Sequence, residues 1–363
     1  MRKNHEYYMR LALRLAMRAK GETSPNPMVG ALVVKNNRIV GQGYHKKCGL
    51  DHAEIMALNE AQDKAKGATL YVTLEPCAHF GRTPPCVNRI IQSGIKKVII
   101  GMLDPNSLNN GGGMKILREN RIKVEAGCLE EELKKINEVF IKYITKKIPF
   151  ITVKVAESLD GKIATKRGDS QWITSDKSRS YAHRLRSEYD AIMVGVNTVL
   201  RDNPLLEAWF SKRHPAKIIV DSRLSTPEKA RIFSRRTPVI ISTLPTKPGE
   251  ETENRKLLAQ KAKILEVKEK EGQVNLKDML KKIARLEISN ILVEGGGTLI
   301  GSLFDEGLVD KVLFFISPKI IGGKEAIGAV MGKGVTRIER AIKLKDISFR
   351  RMGEDFLIEG YVK

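Results

Sequence analysis

Four residues in the first quarter of the chain constrain its fold more than any others: His52, Glu54, Cys77 and Cys86. One imidazole and two thiolates are donors that zinc prefers, and a catalytic zinc site usually keeps three protein ligands and leaves its fourth position to water. Zinc-bound water loses a proton near neutral pH and becomes a strong nucleophile. The pattern predicts that His52, Cys77 and Cys86 bind zinc and that Glu54 carries protons in a hydrolytic reaction.

The local sequence places these residues where they can meet. Residues 67–74 have the apolar pattern of a strand, and Cys77 follows its end. His52 begins a helical pattern, with Asp51 as a candidate cap. Because residues two apart on a regular helix do not face each other, His52 and Glu54 converge only at the first turn. The N-terminal end of a helix also favours a nearby thiolate.

The alternative is that these residues bind no metal and only pack in the fold. A His-Ala-Glu triplet is common, and a lone cysteine is more often a buried small apolar side chain than a ligand. The order His-x-Glu, Pro-Cys, Cys nevertheless resembles the signature of the zinc-dependent nucleobase deaminases. Those enzymes have two residues between the cysteines, whereas eight residues, 78–85, intervene here.

The longer spacing has its own resemblance. The block 73–86 reads Thr-Leu-Glu-Pro-Cys-Ala-His-Phe-Gly-Arg-Thr-Pro-Pro-Cys and resembles the pyrimidine deaminase of riboflavin biosynthesis. The segment 24–30, Ser-Pro-Asn-Pro-Met-Val-Gly, and the pair Gly43 and His45 match the same family. The resemblance implies that Asn26 orients a pyrimidine ring and that Arg82, with His79, faces its phosphate.

Composition limits the class of protein. The chain has 363 residues, of which 42% are hydrophobic, which predicts two domains with ordinary cores. Four cysteines, two of them assigned to metal, do not suggest a disulfide framework, so we expect a reducing compartment, the cytoplasm. Residues 1–20 are typical of an amphipathic helix and not of a signal peptide. No run reaches the roughly 18 apolar residues of a membrane span.

The formal net charge of +22 raises the question of nucleic acid. Basic surfaces attract phosphate backbones, but here the charge is spread over both halves, with no basic tail or dense block. This spread favours a solvated lysine-rich surface that helps to steer phosphorylated small molecules. We therefore expect a small-molecule substrate and neither a nucleic-acid nor a membrane partner.

A boundary is predicted near residue 147. Residues 127–147 have the pattern of one helix, Pro149 ends it, and Phe150 begins a strand pattern. The first half alternates strands and helices as an α/β sandwich does, with helices on both sheet faces. The second half has strand patterns around a few helices, and residues 245–272 are polar and predicted to lie at the surface. The predicted domains are 1–147 and 148–363.

Three clusters characterise the second half: residues 154–164, residues 170–175 together with 190–199, and residues 291–301. The last reads as strand, triple glycine and helix, where backbone amides and the helix dipole could bind a pyrophosphate. A tight turn without a ligand is nearly as plausible, and Ile300 stands where the dinucleotide fingerprint requires glycine.

Together the clusters resemble the reductase of the same pathway, whose fold is similar to dihydrofolate reductase. This implies NADPH as cofactor, with contacts at Ala156, Trp172, Thr198, Asp202, Ser222, Gly296, Gly297, Thr298, Leu299, Ile300, Gly301 and Ser302. It implies substrate contacts at Lys154, Ser170, Arg186, Leu206 and Glu294. Without the resemblance, Trp172 reads equally well as a core aromatic and Arg186 as part of a solvated helix face.

The chain departs from the reductase pattern at Trp209, where the family usually has an arginine close to the substrate phosphate. Either Lys212 or Arg213 replaces that arginine, or phosphate binding is weaker. A second departure is Ser107, where the family prefers proline.

As a whole the chain resembles the bifunctional deaminase–reductases of riboflavin biosynthesis: a cytidine-deaminase-like α/β/α sandwich followed by a dihydrofolate-reductase-like α/β domain. The resemblance implies zinc-dependent deamination of 2,5-diamino-6-ribosylamino-4(3H)-pyrimidinone 5′-phosphate, with one zinc per chain. It then implies NADPH-dependent reduction of the ribosyl group, giving 5-amino-6-ribitylaminouracil 5′-phosphate, by a homo-oligomer. The alternatives are a deaminase acting on a flipped base in RNA, which the long insert and second half argue against, and a zinc-stabilised scaffold, which has no need for Glu54.

Overall fold

The computed structural model describes residues 4–81, 83–208, 214–234, 237–246 and 252–363. The chain divides into two compact units, Met1–Lys147 and Ile148–Lys363. Within the described residues, no helix combines the length and apolar character needed to cross a membrane. Each unit has its own sheet and its own hydrophobic core.

The first unit is built on a five-stranded sheet with the order β2-β1-β3-β4-β5. In chain order its elements are α1 His5–Ala16, β1 Gly30–Lys35, β2 Arg38–Tyr44, α2 Ala53–Ala61, β3 Thr69–Leu74, α3 Cys86–Gln92, β4 Lys97–Met102, α4 Gly112–Glu119, β5 Lys123–Ala126, α5 Glu130–Ile136 and α6 Glu138–Lys146. Strand β1 is antiparallel to β2 and β3, whereas β3, β4 and β5 run parallel.

Glycines let two helices approach opposite faces of this sheet. A Cβ on Gly30 would lie 2.0 Å from the Ala12 carbonyl oxygen of α1. Ala31, the next residue of β1, pairs with Gly43, where a Cβ would lie 2.5 Å from the Ala53 carbonyl oxygen of α2. Because adjacent strand residues point to opposite faces, α1 and α2 cover different faces. This is the predicted α/β sandwich.

The parallel pair β3 and β4 determines where the loops of this unit meet. Leu74, the last residue of β3, pairs with Met102, the last residue of β4. The loops that follow, 75–85 and 103–111, therefore leave the same edge of the sheet. Ligand sites of α/β sheets lie at the carboxyl ends of strands, and Cys77 is on the first of these loops.

The single helix predicted over 127–147 is wrong, because the structure has α5 and α6 there with a break at Asn137. The Asn137 side chain is buried and binds the backbone of Met28, accepting from its N–H at 2.8 Å and donating to its carbonyl at 3.1 Å. This contact joins positions 109 residues apart, which periodicity does not reveal.

The second unit is built on a nine-stranded sheet with the order β11-β10-β9-β8-β14-β6-β15-β18-β17. In chain order its elements are β6 Phe150–Ser158, β7 Lys162–Ala164, α7 Asp176–Leu185, β8 Ala191–Gly195, α8 Val196–Asp202, β9 Ala216–Val220, β10 Val239–Thr243, α9 Glu253–Lys261, β11 Lys263–Glu266, β12 Glu269–Lys270, β13 Gln273–Val274, α10 Leu276–Ala284, β14 Asn290–Val293, α11 Gly297–Asp305, β15 Lys311–Ser317, β16 Ile327–Gly328, β17 Leu344–Met352 and β18 Asp355–Val362. Neighbouring strands run parallel from β11 through β10, β9, β8, β14 and β6 to β15. Strands β18 and β17 follow β15 at one edge of the sheet and pair in antiparallel orientation.

The central strands β8, β14 and β6 bring three functional segments together. Val293 at the end of β14 pairs with Met193 of β8 and Val153 of β6. Glu294, which follows β14, therefore lies beside Lys154 within β6, and α8 begins directly after the other neighbouring strand, β8. The polar segment 245–272 is only partly at the surface, since its described part contains α9 and β11, and Leu258 and Val267 are buried.

Candidate active sites

The first unit brings the three predicted zinc ligands together. His52 is the N-cap of α2, Cys77 follows β3, and Cys86 begins α3. The Nδ1 of His52 lies 3.2 Å from the Cys86 sulfur and 3.6 Å from the Cys77 sulfur. The three candidate ligand atoms all lie within 4.8 Å of one another.

This donor set fits zinc. Zinc bonds to thiolate and imidazole of about 2.3 and 2.0 Å in a tetrahedral site place sulfur and nitrogen about 3.5 Å apart, close to the two distances to His52. A hydrogen bond from the Cys86 thiol lowers the pKa of Cys77 to about 4, and the same contact raises the pKa of Cys86. The pair therefore carries negative charge that suits a cation.

Glu54 is in the first turn of α2 and is only 3% exposed. Burial raises the pKa of its carboxyl to about 7, against the opposing charge of His52. Asn26, the predicted ring-orienting residue, has its amide nitrogen 3.0 Å from Nε2 of His45. The buried His45 ring has its Nδ1 3.2 Å from the Asp51 carbonyl and meets the His52 ring edge to face at 5.3 Å. Glu54 thus lies two residues after the candidate ligand His52, and Asn26 is connected to His52 through the His45 ring. Arg82 lies outside the described residues.

Two further residues at this site, Thr83 and Glu75, make contacts that the sequence analysis did not predict. Thr83 has its hydroxyl oxygen 3.2 Å from Nε2 of His52, the ring nitrogen opposite the sulfurs. Glu75, 3% exposed, accepts hydrogen bonds from the N–H groups of Asp104 and Gly111 through one oxygen, at 3.1 and 3.0 Å. Thr83 belongs to the insert and Glu75 precedes Pro-Cys, so both lie in the block that carries the resemblance, but no pattern assigns their roles.

The second unit has a cavity of about 410 Å³ at the carboxyl ends of its central strands. Its lining contains most of the predicted reductase residues, namely Lys154, Ala156, Ser170, Trp172, Arg186, Thr198, Asp202, Glu294, Gly296, Gly297, Thr298 and Ile300. At its floor, Glu294 is bound by Arg186 and lies 3.4 Å from the Lys154 ammonium.

Burial and neighbouring charges shift the pKa values of the two acidic side chains in this cavity, Glu294 and Asp202. Burial alone would raise the pKa of Glu294, but the charges of Arg186 and Lys154 outweigh burial and hold it at about 2. Burial raises the pKa of Asp202, whose carboxylate accepts a 3.5 Å hydrogen bond from Ser170. Trp172 is 62% exposed and has the Arg179 guanidinium 4.4 Å from its ring, so it is a wall of the cavity and not a core aromatic.

The glycine segment at the start of α11 fits a pyrophosphate. Gly296 has a φ of +79°, a conformation that favours glycine, and it is the N-cap of α11. Gly296, Gly297 and Thr298 line the cavity at this helix N-terminus, where backbone N–H groups attract phosphate.

Five predicted contacts do not line the cavity: Leu206, Ser222, Leu299, Gly301 and Ser302. Leu206 and Leu299 are buried in the core. A Cβ on Gly301 would lie 0.8 Å from the Met331 carbonyl oxygen, so close packing explains this glycine. The Ser222 hydroxyl donates to Gln273 and accepts from the Val274 N–H, both at 3.1 Å. Ser302 donates to the Thr298 carbonyl. The departure at Trp209, with Lys212 and Arg213, lies outside the described residues.

Comparisons with known proteins match each half of the chain to a family. Residues 149–358 match the family model "RibD C-terminal domain", and residues 2–102 match "Cytidine and deoxycytidylate deaminase zinc-binding region". The riboflavin biosynthesis protein RibD of Aquifex aeolicus is 48% identical over 97% of this chain and 96% of its own length. The Escherichia coli RibD is 37% identical over 96% of this chain and 97% of its own length.

Solved structures give the same result over the whole chain. A RibD structure from Acinetobacter baumannii has a TM-score of 0.88 at 32% identity and covers 99% of both chains. A Thermotoga maritima protein described as a diaminohydroxyphosphoribosylaminopyrimidine deaminase/5-amino-6-(5-phosphoribosylamino)uracil reductase has a TM-score of 0.85 at 38% identity, again over 99% of both. The predicted fold class is thereby confirmed. The chain belongs to the RibD family of riboflavin biosynthesis enzymes, which join a zinc-dependent deaminase to an NADPH-dependent reductase.

Proposed function

We propose that the first unit, residues 1–147, deaminates 2,5-diamino-6-ribosylamino-4(3H)-pyrimidinone 5′-phosphate, and that the second, residues 148–363, reduces the ribosyl group of the product. The convergence of His52, Cys77 and Cys86 beside the buried Glu54 carries the first assignment. The cavity of the second unit, with the α11 N-terminus at one side and the Glu294 cluster at its floor, supports the second assignment.

In the deaminase site each residue has a distinct task. His52, Cys77 and Cys86 would hold zinc, which supplies an activated water when bound. Asn26, fixed by its contact with His45, orients the pyrimidine ring. Glu54 takes a proton from the water and delivers it to the leaving amino nitrogen, as a positioned general acid–base group does.

In the reductase site the protein binds and orients both reactants. The N-terminus of α11 binds the cofactor pyrophosphate, and Trp172 and Thr198 line the cavity that receives the rest of NADPH, which supplies the hydride. Lys154, Asp202 and Glu294 orient the ribosyl group for reduction. The charged Arg186 and Lys154 keep Glu294 ionised, so it accepts hydrogen bonds from sugar hydroxyls and does not donate them.

The test is product analysis on the purified full chain with each component omitted in turn. With zinc and NADPH present, the diaminopyrimidinone should yield 5-amino-6-ribitylaminouracil 5′-phosphate and ammonia. Without NADPH the deaminated ribosylamino compound should accumulate, and after chelation of zinc no ammonia should form. Hydrolysis of cytosine or adenine in RNA at a comparable rate, with no reaction of the pyrimidinone, would contradict the proposal.

We also propose that the enzyme works as a homo-oligomer in the cytoplasm, without nucleic acid. Strand β17 forms an edge of the nine-stranded sheet and carries Ile347 and Phe349, which are 50% and 72% exposed. A long exposed edge strand with apolar side chains favours pairing with another chain. The thiols of Cys77 and Cys86 act as ligands only when reduced, which fits the cytoplasm. Sedimentation of the wild type and of Phe349→Lys tests the oligomer, since the variant should dissociate.

A further inference from the structure

Asn109 connects the loop after β4 to the loop that carries Cys77. Its side chain is buried, with 2% exposure. Its Oδ1 accepts a 2.8 Å hydrogen bond from the N–H of Ala78, and its Nδ2 lies 3.4 Å from the Pro76 carbonyl oxygen. The carboxamide therefore binds the backbone on both sides of Cys77. We propose that Asn109 is a positioning residue that determines the zinc affinity of the deaminase site by holding Cys77 in its ligating position.

Asp104 fixes which way the Asn109 carboxamide points. The Asp104 Oδ2 accepts a 3.1 Å hydrogen bond from Nδ2 of Asn109, and its Oδ1 accepts a 2.9 Å hydrogen bond from the N–H of Asn106. A carboxylate accepts and does not donate, so only the amide nitrogen of Asn109 can face it. The carboxamide oxygen is consequently directed at Ala78, and the arrangement has one orientation.

The same two loops are joined a second time around Glu75. In addition to its bonds with Asp104 and Gly111, Glu75 accepts a 3.0 Å hydrogen bond from the N–H of Met114. A Cβ on Gly113 would lie 2.1 Å from the Pro76 carbonyl oxygen, so the first turn of α4 packs in direct backbone contact with the Cys77 loop. Glu75 therefore anchors the start of the Cys77 loop, and Asn109 is the side chain that reaches past Pro76 to Ala78.

The consequence concerns metal binding, and it rests on the proposed role of Cys77 as a zinc ligand. A ligand held in place by the fold does not lose conformational freedom when zinc binds, whereas a mobile loop must be ordered at that moment. Residues that orient metal ligands typically change metal affinity or activity by about 10–100-fold when they are removed. Loss of the Asn109 contacts should weaken zinc binding within this range without removing any ligand.

The experiment compares four full-length variants. Asn109→Leu removes all three hydrogen bonds, and Asn109→Asp keeps the acceptor for Ala78 but places a carboxylate oxygen against Asp104 and Pro76. Asp104→Asn combined with Asn109→Asp returns a donor to the contact between the two side chains. Asn110→Leu is the matched control, because Asn110 is the exposed neighbour. Circular dichroism and urea unfolding of the same chain report whether the first unit of each variant is folded.

Zinc affinity is measured by competition with a chromophoric chelator, and ligand geometry by the thiolate-to-metal absorption bands of the cobalt-substituted proteins. We expect affinity to fall about 10–100-fold in Asn109→Leu and Asn109→Asp, with altered cobalt bands. The double variant should recover part of the loss, and Asn110→Leu should match the wild type. A purely structural role would lower the free energy of unfolding of the variants without changing the cobalt spectrum.

Two results overturn the inference: wild-type affinity and cobalt bands in Asn109→Leu, or equal losses in Asn109→Leu and Asn110→Leu. If Asn109→Leu does not fold, the zinc affinity of Asn109→Asp is compared with that of the double variant. A double variant that binds zinc no more tightly than Asn109→Asp would contradict the proposal. Cys77→Ser separates this inference from the proposed function. Full zinc affinity in Cys77→Ser would refute the ligand assignment itself, whereas lost affinity there with an unaffected Asn109→Leu would refute only the positioning role.

Discussion

Arg186 and Glu294 form a two-point ion pair at the floor of the reductase cavity, with Nε to Oε1 at 2.5 Å and Nη2 to Oε2 at 2.9 Å. The Glu294 side chain is 3% exposed and that of Arg186 12%. Such a pair costs desolvation energy on both sides, and the remaining charge is strongly destabilising when one partner is removed. The pair therefore links the proposed substrate site to the stability of the second unit.

The first prediction follows from this pair. Arg186→Met should destabilise the second unit by about 3–5 kcal/mol at pH 7, because it leaves a buried carboxylate with only Lys154 nearby. The pKa of Glu294 is lowered from 4.5 to about 2 in the folded protein, so its stabilising effect is complete above pH 4.5 and is lost as the pH falls towards 2. The difference between wild type and variant should shrink over this pH range.

Urea unfolding followed by tryptophan fluorescence measures this effect, because both tryptophans of the chain lie in the second unit. The control is Arg184→Met, since Arg184 is an exposed residue of α7. Its effect should stay within about 0.5 kcal/mol. A pH-independent difference for Arg186→Met would show that lost packing, and not the charge of Glu294, causes the destabilisation.

The second prediction concerns proton transfer. Glu54→Gln should reduce deamination by about 10²–10⁴-fold, the usual contribution of a general acid–base group. Zinc content should remain near that of the wild type, and the reductase activity of the same chain should not change. Ammonia release and metal analysis measure the two effects. Glu60→Gln is the control on the exposed side of α2, and near-normal turnover in Glu54→Gln would remove Glu54 from the mechanism.

The third prediction concerns Thr83. When Nδ1 of His52 binds zinc, Nε2 carries the proton and donates to the Thr83 hydroxyl 3.2 Å away. Thr83→Val keeps the shape of the side chain but removes this acceptor, and zinc affinity should fall about 10–100-fold. Thr83→Ser keeps a hydroxyl and should retain most of the affinity. Chelator competition compares the two, and equal affinities would mean that Thr83 does not orient the ring.

The cluster of candidate zinc ligands was predictable because its chemistry is local to short motifs. His52 and Glu54 are separated by one residue, and Pro-Cys follows a recognisable strand. The interactions that hold these motifs in place were not predictable, since Asn109 reaches a loop 31 residues earlier and Asn137 binds Met28 across 109 residues. Neither asparagine breaks a helical or strand period, and only the tertiary fold determines its partner.

The glycine-rich segment shows the same limit within a single motif. The family resemblance assigned all of residues 296–302 to the cofactor, but in the structure these residues differ in whether they line the cavity. Gly296 lines the cavity, whereas Gly301 packs against the Met331 carbonyl and Leu299 lies in the core. A helix turns its residues to different sides every 100° or so, and the sequence does not specify which side faces the ligand.

The fourth prediction tests Gly296. Gly296→Val would place a branched side chain in a left-handed conformation, with its Cβ 3.5 Å from the Thr198 hydroxyl oxygen beside the cavity. NADPH affinity should fall, while deamination should continue unchanged. Gly307→Val has the same backbone strain, at a φ of +63°, but open space around the Cβ. Titration of NADPH fluorescence should show weaker binding only for Gly296→Val, and equal affinities would place the pyrophosphate elsewhere.

The fifth prediction concerns the independence of the two units. Each has its own sheet and core, and the two sites are built from residues on opposite sides of Lys147. Residues 1–147 expressed alone should therefore deaminate the pyrimidinone, and residues 148–363 alone should oxidise NADPH with the deaminated substrate. Circular dichroism first establishes that each half is folded. If both folded halves are inactive and regain activity when mixed, each site needs residues from the other unit, and the proposed assignment of one reaction to each unit is wrong.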